Sequence, residues 1–303
     1  MSDKSDSSAS FENYLAECAD KITVVIDQLI APAVGPEAQL MRAMRHGALA
    51  GGKRLRPFIT IEVGRMFDAP EKSLLRAASA LECVHAYSLI HDDLPCMDDD
   101  DLRRGQPTVH IAFDEATAVL AGDALQTLAF EILANPETHG DATVRCKLIE
   151  VLASSSGSRG MVGGQMIDMA PSFDDENALS ILTRMQRMKT GALFACAAEF
   201  GAIIGGANEQ EHHALAGFTH DLGLAFQIKD DLLDVQGDES VVGKAVSKDK
   251  DAGKQNFVSL LGEEGAVSRV NMLADQAKQH LSVFGGRAST LLNTVNFVLD
   301  RHH

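Results

Sequence analysis

The residues best suited to chemistry stand close together in His91-Asp92-Asp93-Leu94-Pro95-Cys96-Met97-Asp98-Asp99-Asp100-Asp101. Asp92, Asp93 and Asp98 to Asp101 put six carboxylates within ten residues, and Arg103 and Arg104 follow directly. So dense a negative charge calls for a cation, and a hard divalent ion that prefers oxygen ligands is the natural one. Pro95 disfavours helical geometry at Leu94 and ends or bends a helix there. Without that break, residues six apart would be rotated by roughly 240° and Asp92 and Asp98 could not share an ion. With it, Asp98 can turn back toward Asp92. The competing reading is a solvated acidic loop at a helix end.

A second acidic set, Lys229-Asp230-Asp231-Leu232-Leu233-Asp234, lies within an apolar helical run. Asp230 and Asp234 are i and i+4, stacked on one face where their repulsion again calls for a cation, while Asp231 points about 100° away. Two basic groups accompany the two acidic ones: Lys53, Arg54 and Arg56 after a glycine pair, and Arg103-Arg104. This combination suits two anionic groups, one bound through metal and one held directly by Arg and Lys. His85, two helical turns before Asp92, falls on nearly the same face as that aspartate.

These side chains must be delivered by helices. Apolar residues recur at helical spacing over 11–30, 37–49, from about Pro57 to Met66, from Ser73 into the acidic stretch, and over 109–134. The pattern continues over 143–158 and 160–168, from a start near Asp174-Asp175-Glu176 through Lys189-Thr190-Gly191 to 204, and over 209–235, with two or three closing helices. No strand-like alternation interrupts it, and 8 Pro, 2 Tyr and no Trp in 303 residues fit the same picture. The expected fold is all-α, an antiparallel helical bundle around a deep central cavity with both acidic motifs facing across its mouth. Residues 1–10 read as a flexible polar tail and 11–303 as a single domain.

A net charge of −16 argues against nucleic acid or an anionic membrane surface as the main partner. Five scattered Cys without CxxC spacing read as reduced thiols. The polar N-terminal residues lack an apolar signal core, and no run approaches the ~18 apolar residues of a membrane span. A cytoplasmic protein that is not integral to a membrane is expected.

The run from Leu81 to Gly105 resembles the first aspartate-rich motif of trans-prenyltransferases, and Phe226-Gln227-Ile228-Lys229-Asp230-Asp231-Leu232-Leu233-Asp234 resembles the second. Gly51-Gly52-Lys53-Arg54-Leu55-Arg56-Pro57, Gly164-Gln165-Met166-Ile167-Asp168 and Lys189-Thr190-Gly191 are similar to the remaining signatures, in the expected order. The two extra residues between the aspartates of the first motif point to the bacterial farnesyl diphosphate synthase branch. The resemblance implies Mg²⁺-dependent head-to-tail condensation of isopentenyl diphosphate with dimethylallyl and geranyl diphosphate. It places Asp92, Asp98 and Asp230 on the metal ions, three with substrate bound and replaceable by Mn²⁺, with Asp93 and Asp234 as further candidates. Arg103, Lys189 and Lys244 would contact the allylic diphosphate, with Lys254 a weaker candidate. Lys53, Arg56, His85 and Arg104 would hold isopentenyl diphosphate, and Thr190 and Gln227 would face the developing carbocation. Tyr87, five residues before Asp92 and about 7.5 Å along the axis, would floor the chain cavity and set a fifteen-carbon product. A homodimer is implied too. Rival readings are a geranylgeranyl or geranyl diphosphate synthase, a terpene cyclase, which usually lacks the Lys53, Arg56 and Arg104 set, and a non-catalytic metal-binding helical protein. The closing Leu299-Asp300-Arg301-His302-His303 is assigned no role.

Overall fold

A computed structural model describes residues 2–169, 177–236 and 255–301 of the chain, side chains 2–9 and Gln236 apart. Lys244, Lys254 and the acids expected to open a helix at 174–176 lie outside the described residues. The fold is all-α, as the periodicity leads one to expect. Its residues group into two compact units, Met1–Glu150 with Ile203–Gly205, and Val151–Ala202 with Gly206–His303.

In the first unit, α1 (Ser2–Leu29) begins inside the segment expected as a polar tail, and α2 (Ala38–Ala48), α3 (Leu55–Arg65) and α4 (Glu71–Asp92) follow. The short α5 (Val109–Ala112), α6 (Glu115–Ala134) and α7 (Ala142–Ser156) come next, the last running on into the second unit. Helix α4 is buried almost all round, from Leu74 through Leu81 and Val84 to Ile90, which makes it the central helix of this unit and the rigid carrier of the first motif. The run expected as one helix over 109–134 is broken at Phe113: Asp114 accepts the backbone N–H of Thr117 at 2.7 Å and caps α6.

Helix α4 meets its neighbours through one buried ion pair. Arg54, in the left-handed region (φ 48°) just before α3, donates to Glu82 of α4 at 2.5 Å and to the carbonyl of Ala48, the last residue of α2, at 2.6 Å. Both side chains are almost completely enclosed, at 2% and 3% exposure. Arg54 therefore ties three helices together, and is not one more cation of an exposed basic cluster.

The second unit holds α8 (Met161–Asp168), α9 (Ala178–Gln186), a π-helical turn (Arg187–Gly191), α10 (Ala192–Gly205, whose last three residues belong to the first unit) and α11 (Glu209–Gln236). It closes with α12 (Phe257–Leu281), a 3₁₀ segment (Ser282–Ala288) and α13 (Ser289–Asp300). Leu224, Ile228 and Leu232 of α11 pack on Phe257, Val270 and Leu273 of α12 and on Leu182 and Met185 of α9. Asp231 accepts the N–H of Phe257 at 2.8 Å, so this carboxylate sits at the positive end of α12. It points away from the Asp230 and Asp234 face, as its position on the helix dictates.

Contrary to the expectation that no run is long enough, Glu115–Ala134 and Ala178–Gly205 have the length and hydropathy to cross a membrane. In the second, 56% of the apolar window is buried inside the protein, as in a core helix.

Glu82→Gln should lower stability by about 3–5 kcal/mol, because it leaves the Arg54 guanidinium buried without its counter-charge. Urea denaturation followed by circular dichroism measures it, and a loss below about 1 kcal/mol would mean that Arg54 is solvated.

Candidate active site

Helix α4 ends where Pro95 requires, and its last carbonyls are taken up by the acidic turn that follows. The N–H of Asp98 donates to the carbonyl of Asp92 at 2.8 Å, and that of Asp100 to the carbonyl of Asp93 at 3.2 Å. These are the acceptors that a helix terminus leaves open. The expected return of Asp98 to Asp92 is thus a backbone feature, and Asp99 at φ 51° turns the chain on toward Asp100.

Asp93 goes elsewhere. It is buried, and both its oxygens accept from Arg103, Nε at 2.8 and 2.9 Å and Nη2 at 2.5 Å. Such a bidentate pair fixes the guanidinium plane. Arg103 belongs to a two-residue antiparallel ladder, β1 (Leu102–Arg103) against β2 (Gln106–Pro107). The chain reverses through Arg104 and Gly105, both at positive φ (53° and 76°), the handedness of a type I′ hairpin. His46 of α2 binds the carbonyl of Pro107 at 2.7 Å and holds the hairpin from its other side.

The hairpin delivers Arg104 to the glycine pair before α3. Its guanidinium donates to the carbonyl of Gly51 and occupies the space beside Gly52, where a Cβ would lie 2.5 Å from its central carbon. Arg56 Nη1 lies 3.4 Å from His85 Nε2, and Lys53, next to Gly52 in the chain, is exposed. His85 is held well below the ordinary histidine value, first by desolvation and then by Arg56, Arg104, Arg54 and Arg103. Arg104 is itself lowered by desolvation and by Arg54. The guanidiniums of Arg56 and Arg104 near His85 make the local potential positive, which suits a bound anion.

In the second unit the Lys189-Thr190-Gly191 signature forms part of the π turn. Extra residues of this kind inside a helix re-aim side chains and are frequent at functional sites. Gly164 of α8 presses on it so closely that a Cβ there would lie 2.1 Å from the backbone nitrogen of Lys189. Lys189 Nζ donates to Asp168 at 2.6 Å, and Thr190 is buried. The amide oxygen and nitrogen of Gln165 are both buried without a hydrogen-bond partner among the described residues, an arrangement that a polar ligand would relieve.

On α11, Gln227 is half-buried and Asp234 exposed, whereas Asp230 accepts from Arg301 at 2.5 Å. Tyr87 on α4 is buried, edge-on to the His91 ring at 5.7 Å, with the Gln126 side chain of α6 toward its hydroxyl. Among the described residues, no three His, Cys, Asp or Glu side chains are gathered as a ready-made metal site. The candidate ligands Asp92, Asp98, Asp230 and Asp234 are all carboxylates, the donor type of Mg²⁺, which takes one or two of them and fills its shell with water and substrate phosphate. The donor set fits that ion.

Four features escaped sequence reading: Glu82, the Asp93–Arg103 pairing, the π turn and Arg301. Glu82 left a trace, as an acid within the apolar run Leu81 to Val84.

Comparison with known proteins agrees with this chemistry. The polyprenyl synthetase family pattern matches residues 37–282. Farnesyl diphosphate synthase of Escherichia coli (strain K12) is 42% identical over 302 residues, spanning 96% of this chain and 99% of the relative. Geranylgeranyl pyrophosphate synthase 4 of Arabidopsis thaliana is 38% identical over 299 residues, 98% of this chain and 79% of the relative. The apo crystal structure of an FPP/GFPP synthase from Zymomonas mobilis superposes with a TM-score of 0.86 at 45% identity, covering 96% of this chain and 99% of that one.

A pH dependence follows from His85. Below its ordinary value of 6.5, an unfolded chain takes up a proton at His85 that the folded chain refuses, so stability falls as pH falls through that value. His85→Gln should flatten the decline in unfolding free energy between pH 7 and 5, read from denaturant melts. An unchanged slope would mean that His85 protonates freely in the fold.

Proposed function

Because this chain belongs to the polyprenyl synthetase family, we propose that it makes (E,E)-farnesyl diphosphate by successive head-to-tail condensation of isopentenyl diphosphate with dimethylallyl and geranyl diphosphate. The observation that carries the reading is the gathering of the Arg56 and Arg104 guanidiniums at His85. This cationic cluster, with the exposed Lys53 next to Gly52 in the chain, suits the diphosphate of an isopentenyl substrate that needs no metal.

The allylic diphosphate belongs to the acidic motifs, where Asp92, Asp98 and Asp230 would hold Mg²⁺. Bound there, the ion supplies Lewis-acid stabilisation of the charge that grows on the departing diphosphate. Arg103, fixed in orientation by Asp93, and Lys189, held by Asp168, donate to the same oxygens, and Lys244 is assigned to them as well. As the allylic C1–O bond breaks, the Thr190 hydroxyl and the Gln227 amide oxygen face the positive carbon. The isopentenyl double bond attacks that carbon, and the proton then lost from the isopentenyl unit passes to the released diphosphate. No protein nucleophile is required, and the carbocation must be kept from water in an apolar cavity. The first and second motifs lie in different compact units, so residues 11–303 are proposed to work as one catalytic domain, in a soluble cytoplasmic enzyme.

Tyr87 supports the fifteen-carbon product: a buried aromatic on α4, backed by α6, blocks growth toward the earlier turns of α4. The second reading, a geranylgeranyl diphosphate synthase, draws on the 38% identity to the Arabidopsis relative, a weaker support than the 42% identity to the Escherichia coli one. A homodimer through α6 is part of the proposal, because Ala116, Val119 and Leu120 stand exposed on that apolar helix.

Incubation with Mg²⁺, labelled isopentenyl diphosphate and dimethylallyl diphosphate should yield mainly C15 alcohol after dephosphorylation. Chelator or Asp92→Ala should abolish it, and Tyr87→Ala should shift the product to C20 or longer. Mainly C20 from the unaltered protein would favour the second reading, and no condensation with any allylic primer would sink both. In sedimentation velocity the protein should run as a dimer and Leu120→Glu as a monomer; an unaltered protein that is already monomeric would remove α6 from the proposal.

A further inference from the structure

The second acidic motif already has a cation. Arg301, one residue past α13, donates through Nη2 to Asp230 Oδ1 at 2.5 Å and to the carbonyl of Phe226 at 2.7 Å. Its guanidinium lies 3.8 Å from the centre of the Phe226 ring. It therefore spans the helical turn from Phe226 to Asp230, and Asp234 acts on it electrostatically as well. The i, i+4 carboxylate pair demands a cation, and in this structure Arg301 is in that place.

The seat is tight yet incompletely satisfied. The Arg301 side chain is 6% exposed, and its Nε is buried with no hydrogen-bond partner among the described residues. A buried donor left unsatisfied weakens the hold. The tether is short: Arg301 has left the helix for extended backbone (ψ 144°), and a single bond from its N–H to the carbonyl of Phe297 at 3.1 Å keeps it on α13. A side chain so placed can swing out without unwinding α13.

We propose that Arg301 is a resident cation of the second acidic motif that a divalent metal must displace to reach Asp230, so that the metal binds there well only when a diphosphate helps to hold it. The inference rests on the assignment of Asp230 as a metal ligand. A divalent ion and a guanidinium cannot share one carboxylate at close range without repulsion, so each excludes the other, and the exclusion is reciprocal. The device keeps Asp230 neutralised while no substrate is bound.

The test is Mn²⁺ binding followed by electron paramagnetic resonance, with and without inorganic diphosphate, in the unaltered protein, Arg301→Gln, Arg301→Lys and Asp230→Asn. Without diphosphate, Arg301→Gln should bind Mn²⁺ about tenfold or more tightly than the unaltered protein, with Arg301→Lys between them. Equal affinity would overturn the exchange. Weaker affinity in Arg301→Gln would overturn it too, by making Arg301 a residue that holds Asp230 in position. If Asp230→Asn binds Mn²⁺ with diphosphate as well as the unaltered protein does, the metal assignment itself falls. Hydrogen–deuterium exchange on the unaltered protein avoids any folding defect of the variants: Mn²⁺ with diphosphate should raise exchange in the peptide that carries Arg301, and unchanged or slower exchange would count against displacement.

Discussion

A charge withdrawn from water must be matched, and four pairs around the candidate site show that constraint. Arg54 is matched by Glu82, Arg103 by Asp93, Lys189 by Asp168 and Asp230 by Arg301. The pairs differ in burial and so in consequence. Arg54–Glu82 is enclosed on both sides and joins three helices, the situation in which losing one partner costs most. In the other three pairs at least one partner keeps contact with solvent. A guanidinium or ammonium held by one carboxylate there is pre-oriented and still has donors for a ligand, which is what stabilising a departing anion requires.

Helix ends and close backbone approaches carry the geometry. The carbonyls that α4 cannot satisfy internally are taken by the N–H groups of Asp98 and Asp100, so the helix terminus and the acidic turn define each other. Gly52 leaves room for the Arg104 guanidinium, and Gly164 lets α8 touch the backbone of the π turn at Lys189. A methyl group at Gly164 would meet main chain, which cannot step aside as a flexible side chain can. Gly52 and Gly164 of these signatures are therefore packing requirements of the cationic residues beside them.

Much of the fold was legible because helical periodicity is a local property: α2, α3, α4 and α11 lie close to where the apolar spacing puts them. The 109–134 run was misread as one helix, since Asp114 acts as a cap only once the chain turns at Phe113. The two membrane-length helices were missed because small and polar residues interrupt their apolar runs, while hydropathy averaged over the whole window remains high. The acidic turn was legible because proline fixes backbone angles whatever surrounds it.

The sequence by itself determined the all-α class, the return of Asp98 to Asp92 and the splaying of Asp231 from Asp230, all of which follow from spacing and backbone sterics. Tertiary structure alone decided which charge meets which. Arg54 is counted with Lys53 and Arg56 in a linear reading, yet it is enclosed against Glu82, while Asp93 turns to Arg103 and not to the Asp92–Asp98 turn. Arg301, 71 residues beyond Asp230, shows the reason most clearly. Periodicity fixes neighbours within a helix, but an ion pair between helices depends on how they pack, and no spacing along the chain records that.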